Sequence, residues 1–211
     1  KVTVIPVALG AEFRPEPLTD AVKLRYGIAS PYILYVGNFM PHKNLPRLLS
    51  AYAALPGTLR AGHVLVLAGG DRVGRPTLEA LAARLGVADR VLFPGLVHDR
   101  DLPALYAGAA VFVLPSLEEG FGLPALEAMA CGAPVVASNR GALPEVVGDA
   151  ALIVDPDAEA EIAHAMVRVL SDAPFARNLG SRGRARAPLF APERTAERVV
   201  ALLRDVSEGG R

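Results

Sequence analysis

The chain has 211 residues, 52% of them apolar, and carries 22 basic and 22 acidic side chains. That length supports one domain, or one domain with a tail, and the apolar share is ample for a large core. The balanced charge gives no case for a nucleic-acid partner, the single cysteine excludes an internal disulfide, and no run reaches the roughly 20 apolar residues of a membrane span.

In chain order, Val2–Ile5 reads as a short strand entering a Pro-rich connection that ends near Pro17. The opening lacks Met and a signal-peptide pattern, so the chain is read as beginning inside a longer protein. Asp20–Tyr26 is helical and is stopped by Gly27. Apolar runs at Tyr32–Val36, Val64–Ala68, Val91–Phe93, Val111–Leu114 and Pro134–Ala137 read as strands, and Ala151–Val154 adds a sixth. Helical patterns at Leu45–Leu55, Thr77–Leu85, Leu102–Ala107 and Pro124–Cys131 separate them. This alternation predicts an α/β fold, a doubly wound parallel sheet of Rossmann type. Three further helices follow, Ala158–Leu170, Ala173–Ala187 and Glu193–Val206. The expected division is 1–18 as a connection, 19–172 as the sheet domain and 173–211 as C-terminal helices.

Ligands of such sheets bind beyond the carboxyl ends of the strands. The unusual residues cluster there. Pro115-Ser116-Leu117-Glu118-Glu119-Gly120-Phe121-Gly122-Leu123-Pro124 is a glycine-rich turn between a buried strand and a helix. Such a turn aims backbone N–H groups and the positive end of a helix at one point, which suits an anion. Glu119 in the turn and Glu127 in the helix bracket it, which fits a ligand with phosphates at its centre and hydroxyls around them. In the first loop, Gly37-Asn38-Phe39-Met40-Pro41-His42-Lys43-Asn44, Gly37 permits close backbone approach and Lys43 stands just before a helix N-terminus. Ala68-Gly69-Gly70-Asp71 is either a tight turn or a place of close approach to a nucleotide; it is not the dinucleotide fingerprint. Asp99-Arg100-Asp101 is read as an Asp N-cap opening the next helix rather than as a metal motif. The four histidines lack metal-ligand spacing, and Cys131 reads as core packing. Arg177, Arg182, Arg184 and Arg186 form a basic run that reads as a solvated face, with peripheral contact to an anionic membrane or a lipid phosphate as the alternative.

The string from Pro115 to Gly132, with Glu119 and Glu127 seven residues apart and Gly-Phe-Gly-Leu-Pro between, resembles the E-x7-E motif of retaining glycosyltransferases of family 4 (group 1). Those enzymes have the GT-B fold. The first loop is similar to the family's V-G-R-x-x-x-x-K, with Asn38 where many members have Arg. Ser138–Glu145 is similar to its Ser-x-Leu-Pro-Glu, where Glu145 either shapes the site or caps a turn. The resemblance extends over nearly the whole chain and implies the C-terminal, donor-binding half of a GT-B fold, with extra C-terminal helices. It implies transfer of a hexosyl group, mannosyl being one option, from a nucleotide-diphosphate sugar with retention, without metal or cofactor. Lys43, Gly37, Asn38 and the N–H groups around Gly120, Phe121, Gly122 and Leu123 would hold the diphosphate. Backbone groups near Val97 would read the base, and Glu127 would hold the ribose. Glu119 would be catalytic, holding sugar hydroxyls and facing the oxocarbenium-like ring. The expected partners are the nucleotide sugar, an acceptor sugar, glycan or lipid-linked glycan, and an N-terminal half carrying the acceptor site. The expected location is the cytoplasm, at or near the inner face of the membrane. The other readings are a GT-B-type nucleotide-sugar epimerase, a non-catalytic nucleotide-sugar-binding module and, more weakly, a metal-dependent GT-A transferase.

Overall fold

A computed structural model describes residues 2–29, 31–70 and 74–209. Helix α1 (Asp20–Tyr26) opens on Thr19, whose side chain accepts from the Val22 N–H, and ends at Gly27 in the left-handed region. Strand β1 (Tyr32–Gly37) leads to helices α2 (Leu45–Ala53) and α3 (Gly57–Gly62), then β2 (Val64–Gly69) and α4 (Gly74–Arg84). Next come β3 (Val91–Gly95), α5 (Leu102–Ala107), β4 (Val111–Leu114), α6 (Leu123–Ala130), β5 (Val135–Ser138), α7 (Leu143–Val147) and β6 (Leu152–Val154). Helices α8 (Glu159–Ser171), α9 (Ala173–Arg186) and α10 (Pro192–Gly209) close the chain.

The six strands form one parallel sheet in the order β3-β2-β1-β4-β5-β6, the doubly wound arrangement expected from the alternation. The order follows from burial. Ile33, Leu34, Val111, Phe112 and Val113 are fully buried, as strands covered on both faces must be. Truncating such a side chain to Ala costs about 2–5 kcal/mol. The edges carry the residues a ladder tolerates poorly. Pro94 lies in edge strand β3, where the register with β2 shifts between Val66 and Ala68, and edge strand β6 has only three residues. Helix α2 packs against α4 and α8, while α6 packs against α5 and α9. Gly180 and Gly183 allow the last approach, since a side chain at either would meet Gly132 or Met129.

Two expectations need correction, and two helices add to them. Val2–Ile5 is not a strand: it has no neighbouring strand, and Val2 and Val4 are exposed. A β-run without a partner leaves its backbone groups unpaired, so apolar composition alone does not make a strand. Helices α3 and α7 were not legible, because each is short and lacks a full amphipathic repeat. The Asp99–Asp101 carboxylates do not cap α5 through their side chains. Asp101 instead crosses to α1, where its Oδ2 accepts from the Tyr26 hydroxyl at 2.7 Å and from Arg25 at 2.5 Å. A buried carboxylate takes the strongest donors in reach, and these exceed a backbone N–H.

The Tyr26 hydroxyl bond, followed by Arg25, holds the Asp101 carboxyl below its usual range against the opposing effect of burial. A depressed folded-state pKa means stability that is complete above the ordinary carboxylate value and is lost as pH falls through the lower folded one. Asp101→Asn should therefore cost about 1.5–3 kcal/mol at neutral pH. Thermal melts of both proteins across acid pH should show the gap closing; a gap independent of pH would contradict this account.

Candidate functional site

Strands β1 and β4 lie side by side, yet the chain leaves them in opposite directions, toward β2 and toward β5. A crevice opens where connections diverge in this way. The loop after β1 forms a short 3-10 turn, Pro41–Lys43, and then passes through Asn44 at φ 60° before α2. Asn tolerates that left-handed conformation because its short amide can bond locally. Its Nδ2 donates to the carbonyls of Pro115 at 3.0 Å and Pro156 at 2.8 Å, and Leu117 N–H donates to His42 O at 2.7 Å. These bonds tie the β1 loop to the β4 loop.

Lys43 and Glu119, 76 residues apart, meet across this seam. The Lys43 ammonium lies 2.6 Å from Glu119 Oε1, and the two side chains are only 14% and 8% exposed. Ser116 Oγ donates to the same oxygen at 2.9 Å. The loop after β5 supports the other side, with Ala142 N–H donating to Glu119 O at 3.2 Å. Gly141, at φ 58°, makes this possible, because a side chain there would collide with Glu119 O.

Helix α6 begins beside the pair. Its N-cap is Gly122, at φ 91°, and no side chain caps it. A Cβ on Gly122 would lie 2.5 Å from Leu143, so only glycine fits. The N–H groups of Gly120, Phe121, Gly122 and Leu123 have no acceptor among the described residues. They and the helix dipole form a positive patch directly after Glu119 in the chain. The Phe121 ring turns away and packs edge-on against Phe190 at 5.8 Å, so only its backbone belongs to the site.

Glu127 lies one turn further along α6. Its Oε2 accepts from the fully buried Tyr106 hydroxyl at 2.7 Å. Burial pushes its carboxyl above the usual range, the Tyr106 bond partly opposes this, and Glu12 and Asp99 add to the rise. Beside these groups a cleft of about 240 Å³ runs over the ends of β1, β2 and β3, lined by Gly37, Asn38, Gly69, Gly70, Val97 and Leu102. Gly69-Gly70 forms a tight turn packed closely against the β1 loop. Gly70 N–H donates to Gly37 O at 3.0 Å, and a side chain on Gly69 would collide with that carbonyl. Asp71 lies outside the described residues. Asn38 is occupied locally: its Oδ1 accepts from Met40 N–H at 3.3 Å and its carbonyl from the Tyr35 hydroxyl at 2.6 Å.

Of the ten residues singled out in the sequence, Gly37, Asn38 and Val97 line the cleft, Lys43 and Glu119 pair, Gly120–Leu123 lead into α6, and Glu127 lies within that helix. Sequence reasoning missed Asn44, Ser116, Tyr106 and Ser138, which brace the site. An Asn directly before a helix is a readable signal for a left-handed turn; the partners of the others lie 3 to 22 residues away and have no local signature. Glu145 is exposed on α7, and its carboxylate makes no hydrogen bond among the described residues. Of the basic run, Arg182 pairs with Asp149 at 2.6 Å and Arg186 donates to the carbonyls of Val146 and Glu145, so half of it is structural. Cys131 is buried, and burial pushes its thiol up to about 12, which leaves it an inert core group. A larger depression of about 490 Å³ adjoins Cys131, Gly132, Arg177 and Arg184, but it lies at the carbonyl end of α6, where the dipole disfavours anions. Among the described residues, no group of His, Cys, Asp and Glu could hold a metal ion, and no helix is long and apolar enough to cross a membrane.

Comparison with known proteins agrees with this geometry. Residues 24–186 match the family model for glycosyl transferases group 1. The chain is 38% identical over 204 residues to O-antigen chain mannosyltransferase B of Escherichia coli, covering 95% of this chain and 53% of that protein. It is 44% identical over 128 residues to the MMP alpha-(1->4)-mannosyltransferase of Mycolicibacterium hassiacum, covering 59% and 31% respectively. Among solved structures, sucrose-phosphate synthase from Thermosynechococcus elongatus superposes with a TM-score of 0.85 at 32% identity, covering 98% of this chain and 53% of that one. The chain thus spans about half the length of such relatives, or less.

Glu127 works against the folded state at neutral pH. A carboxyl whose pKa is raised on folding opposes the folded state at neutral pH, and that cost disappears as pH falls and the group protonates. Glu127→Gln should therefore melt above wild type at neutral pH, with the difference closing in acid. Differential scanning calorimetry over a pH series measures it, and a variant that melts lower at neutral pH would contradict the assignment.

Proposed function

Because this chain belongs to the glycosyl transferases group 1 family, we propose that it is the donor-binding half of a retaining glycosyltransferase that uses a nucleotide-diphosphate sugar without a metal ion. The observation that carries this reading is the meeting of Lys43, Glu119 and the open N-terminus of α6 at one point of the crevice. A leaving diphosphate gains negative charge as the glycosidic bond breaks, and fixed positive groups stabilise it. An ammonium has three donors; Lys43 spends one on Glu119 and keeps others for phosphate oxygens. Asn38 is neutral and engaged in its own loop, so the phosphate charge falls to Lys43 and the N–H groups of Gly120–Leu123.

Glu119 then stands where the sugar attached to that diphosphate would lie. Its carboxylate is suited to hold sugar hydroxyls and to stabilise the oxocarbenium-like ring, which makes it the catalytic residue. Glu127 accepts from the ribose hydroxyls, and the base occupies the cleft between Gly37, Gly69 and Val97. The names of the two mannosyltransferase relatives favour a mannosyl group among hexoses. We assign residues 1–18 to the interdomain connection, 19–172 to the nucleotide-sugar domain and 173–211 to the C-terminal helices. The acceptor, a sugar, glycan or lipid-linked glycan, belongs to an N-terminal half beyond Lys1. Exposed apolar side chains at Val2, Val4, Val199, Leu203 and Val206 are consistent with such a neighbour. Nucleotide sugars of this kind place the reaction in the cytoplasm, and the exposed Arg177 and Arg184 suit a peripheral approach to an anionic membrane face.

The direct test is product formation by the whole protein with a panel of nucleotide sugars, with the anomeric configuration read by NMR. Nucleotide binding without turnover would reduce the protein to a binding module, and an inverted product would overturn retention. Lys43→Ala should weaken nucleoside-diphosphate affinity by about 1.5–3 kcal/mol in calorimetry, and should also lower stability because it strands a buried carboxylate. In the whole protein, Glu119→Ala should mainly lower kcat, whereas Glu127→Ala should mainly weaken donor binding, since a ribose contact serves ground and transition states alike. If both lose only donor affinity, the catalytic role of Glu119 is wrong. Residues 1–211 alone should bind a nucleoside diphosphate, shifting the amide signals of Gly120–Leu123, yet transfer no sugar, because acceptor alignment and water exclusion need the second wall of the cleft.

A further inference from the structure

Ser116 is fully buried two residues beyond β4, and its hydroxyl has no role in the core. It donates instead to Glu119 Oε1 at 2.9 Å, the oxygen that also faces Lys43. Oε2 of the same carboxylate has no partner among the described residues. Two donors on one oxygen hold that oxygen in place and leave Oε2 free to accept from a ligand. Ser116 is itself held. Its carbonyl accepts from Ser138 Oγ at 2.6 Å, and Ser138, the last residue of β5, is also fully buried. The neighbouring Pro115 carbonyl accepts from Asn44 on the opposite side. The hydroxyl therefore rests on the ends of two strands and on the β1 loop, and passes their rigidity to Glu119.

We propose that Ser116 is a positioning residue for Glu119: it holds Oε1 so that Oε2 meets the sugar of the bound donor, and Lys43 remains able to serve the phosphates. The proposal rests on the catalytic role of Glu119 given above. Lys43 alone is a poor substitute, because an ammonium is a point charge on a flexible stem and does not define the plane of its partner. Once the donor phosphates draw on Lys43, the Ser116 hydroxyl is what still orients the carboxylate.

The test is steady-state kinetics of Ser116→Ala, Ser116→Cys and Ser116→Thr in the whole protein, with nucleoside-diphosphate affinity by calorimetry and melting temperature measured alongside. Ser116→Ala should lower kcat by about 10- to 100-fold, while donor KM and nucleotide Kd stay within about 2-fold of wild type. Cys keeps the volume but is a weak donor, so Ser116→Cys should behave like Ala and serves if the Ala variant does not fold. Ser116→Thr keeps the hydroxyl and should restore most of kcat. Folded Ala or Cys variants with wild-type kcat would overturn the proposal, as would a loss expressed only in nucleotide Kd. A wild-type protein without transferase activity would instead overturn the functional reading on which the proposal stands, so the two failures are distinguishable.

Discussion

The site depends on one buried ion pair, Lys43–Glu119, held where β1 and β4 separate. Two charges leave water here, and their attraction offsets that cost only if geometry and further hydrogen bonds are good. The surrounding structure supplies both. Ser116 gives the carboxylate a second donor, and Asn44 and Ser138 brace the β4 loop from opposite sides. The pair is thus the point at which three loops, after β1, β4 and β5, are locked to one another. Removing either charge would disturb their alignment as well as the local electrostatics.

The two glutamates illustrate how environment divides one residue type into two tasks. Glu119 faces an ammonium and a hydroxyl at the edge of the crevice. Glu127 lies deeper against the Tyr106 phenol, where burial dominates and lifts its carboxyl. They are separated by the N-terminus of α6, with its open N–H groups and glycine N-cap. The backbone does much of this work, which is why Phe121 can give its ring to the small cluster around Phe190 while its N–H remains in the site.

The ends of the chain are joined to each other as well as to the sheet. Leu9 N–H donates to Phe190 O at 2.8 Å, and Thr195 Oγ1 donates to Pro6 O at 3.2 Å. The segment before α1 and the start of α10 therefore leave the domain together. Exposed valines and leucines on both give that end an apolar surface, unlike the charged faces elsewhere.

Periodicity alone determined the fold class, because strands buried on both faces and amphipathic helices leave strong local patterns: Tyr32–Val36 and Val111–Leu114 could be little else. The sequence also placed Lys43, Glu119 and Gly122 in the loops after strands and Glu127 one turn into the following helix, since glycines and helix starts have local signatures. Local pattern could not decide whether Val2–Ile5 had a strand to pair with, nor whether Asp101 would cap α5 or reach α1. Those outcomes depend on neighbours 75 or more residues away. The same holds for the site. That Lys43 and Glu119 form a pair, that Tyr106 bonds Glu127, and that Arg182 and Arg186 are structural were decided by the tertiary fold, which brings together residues that the chain keeps far apart.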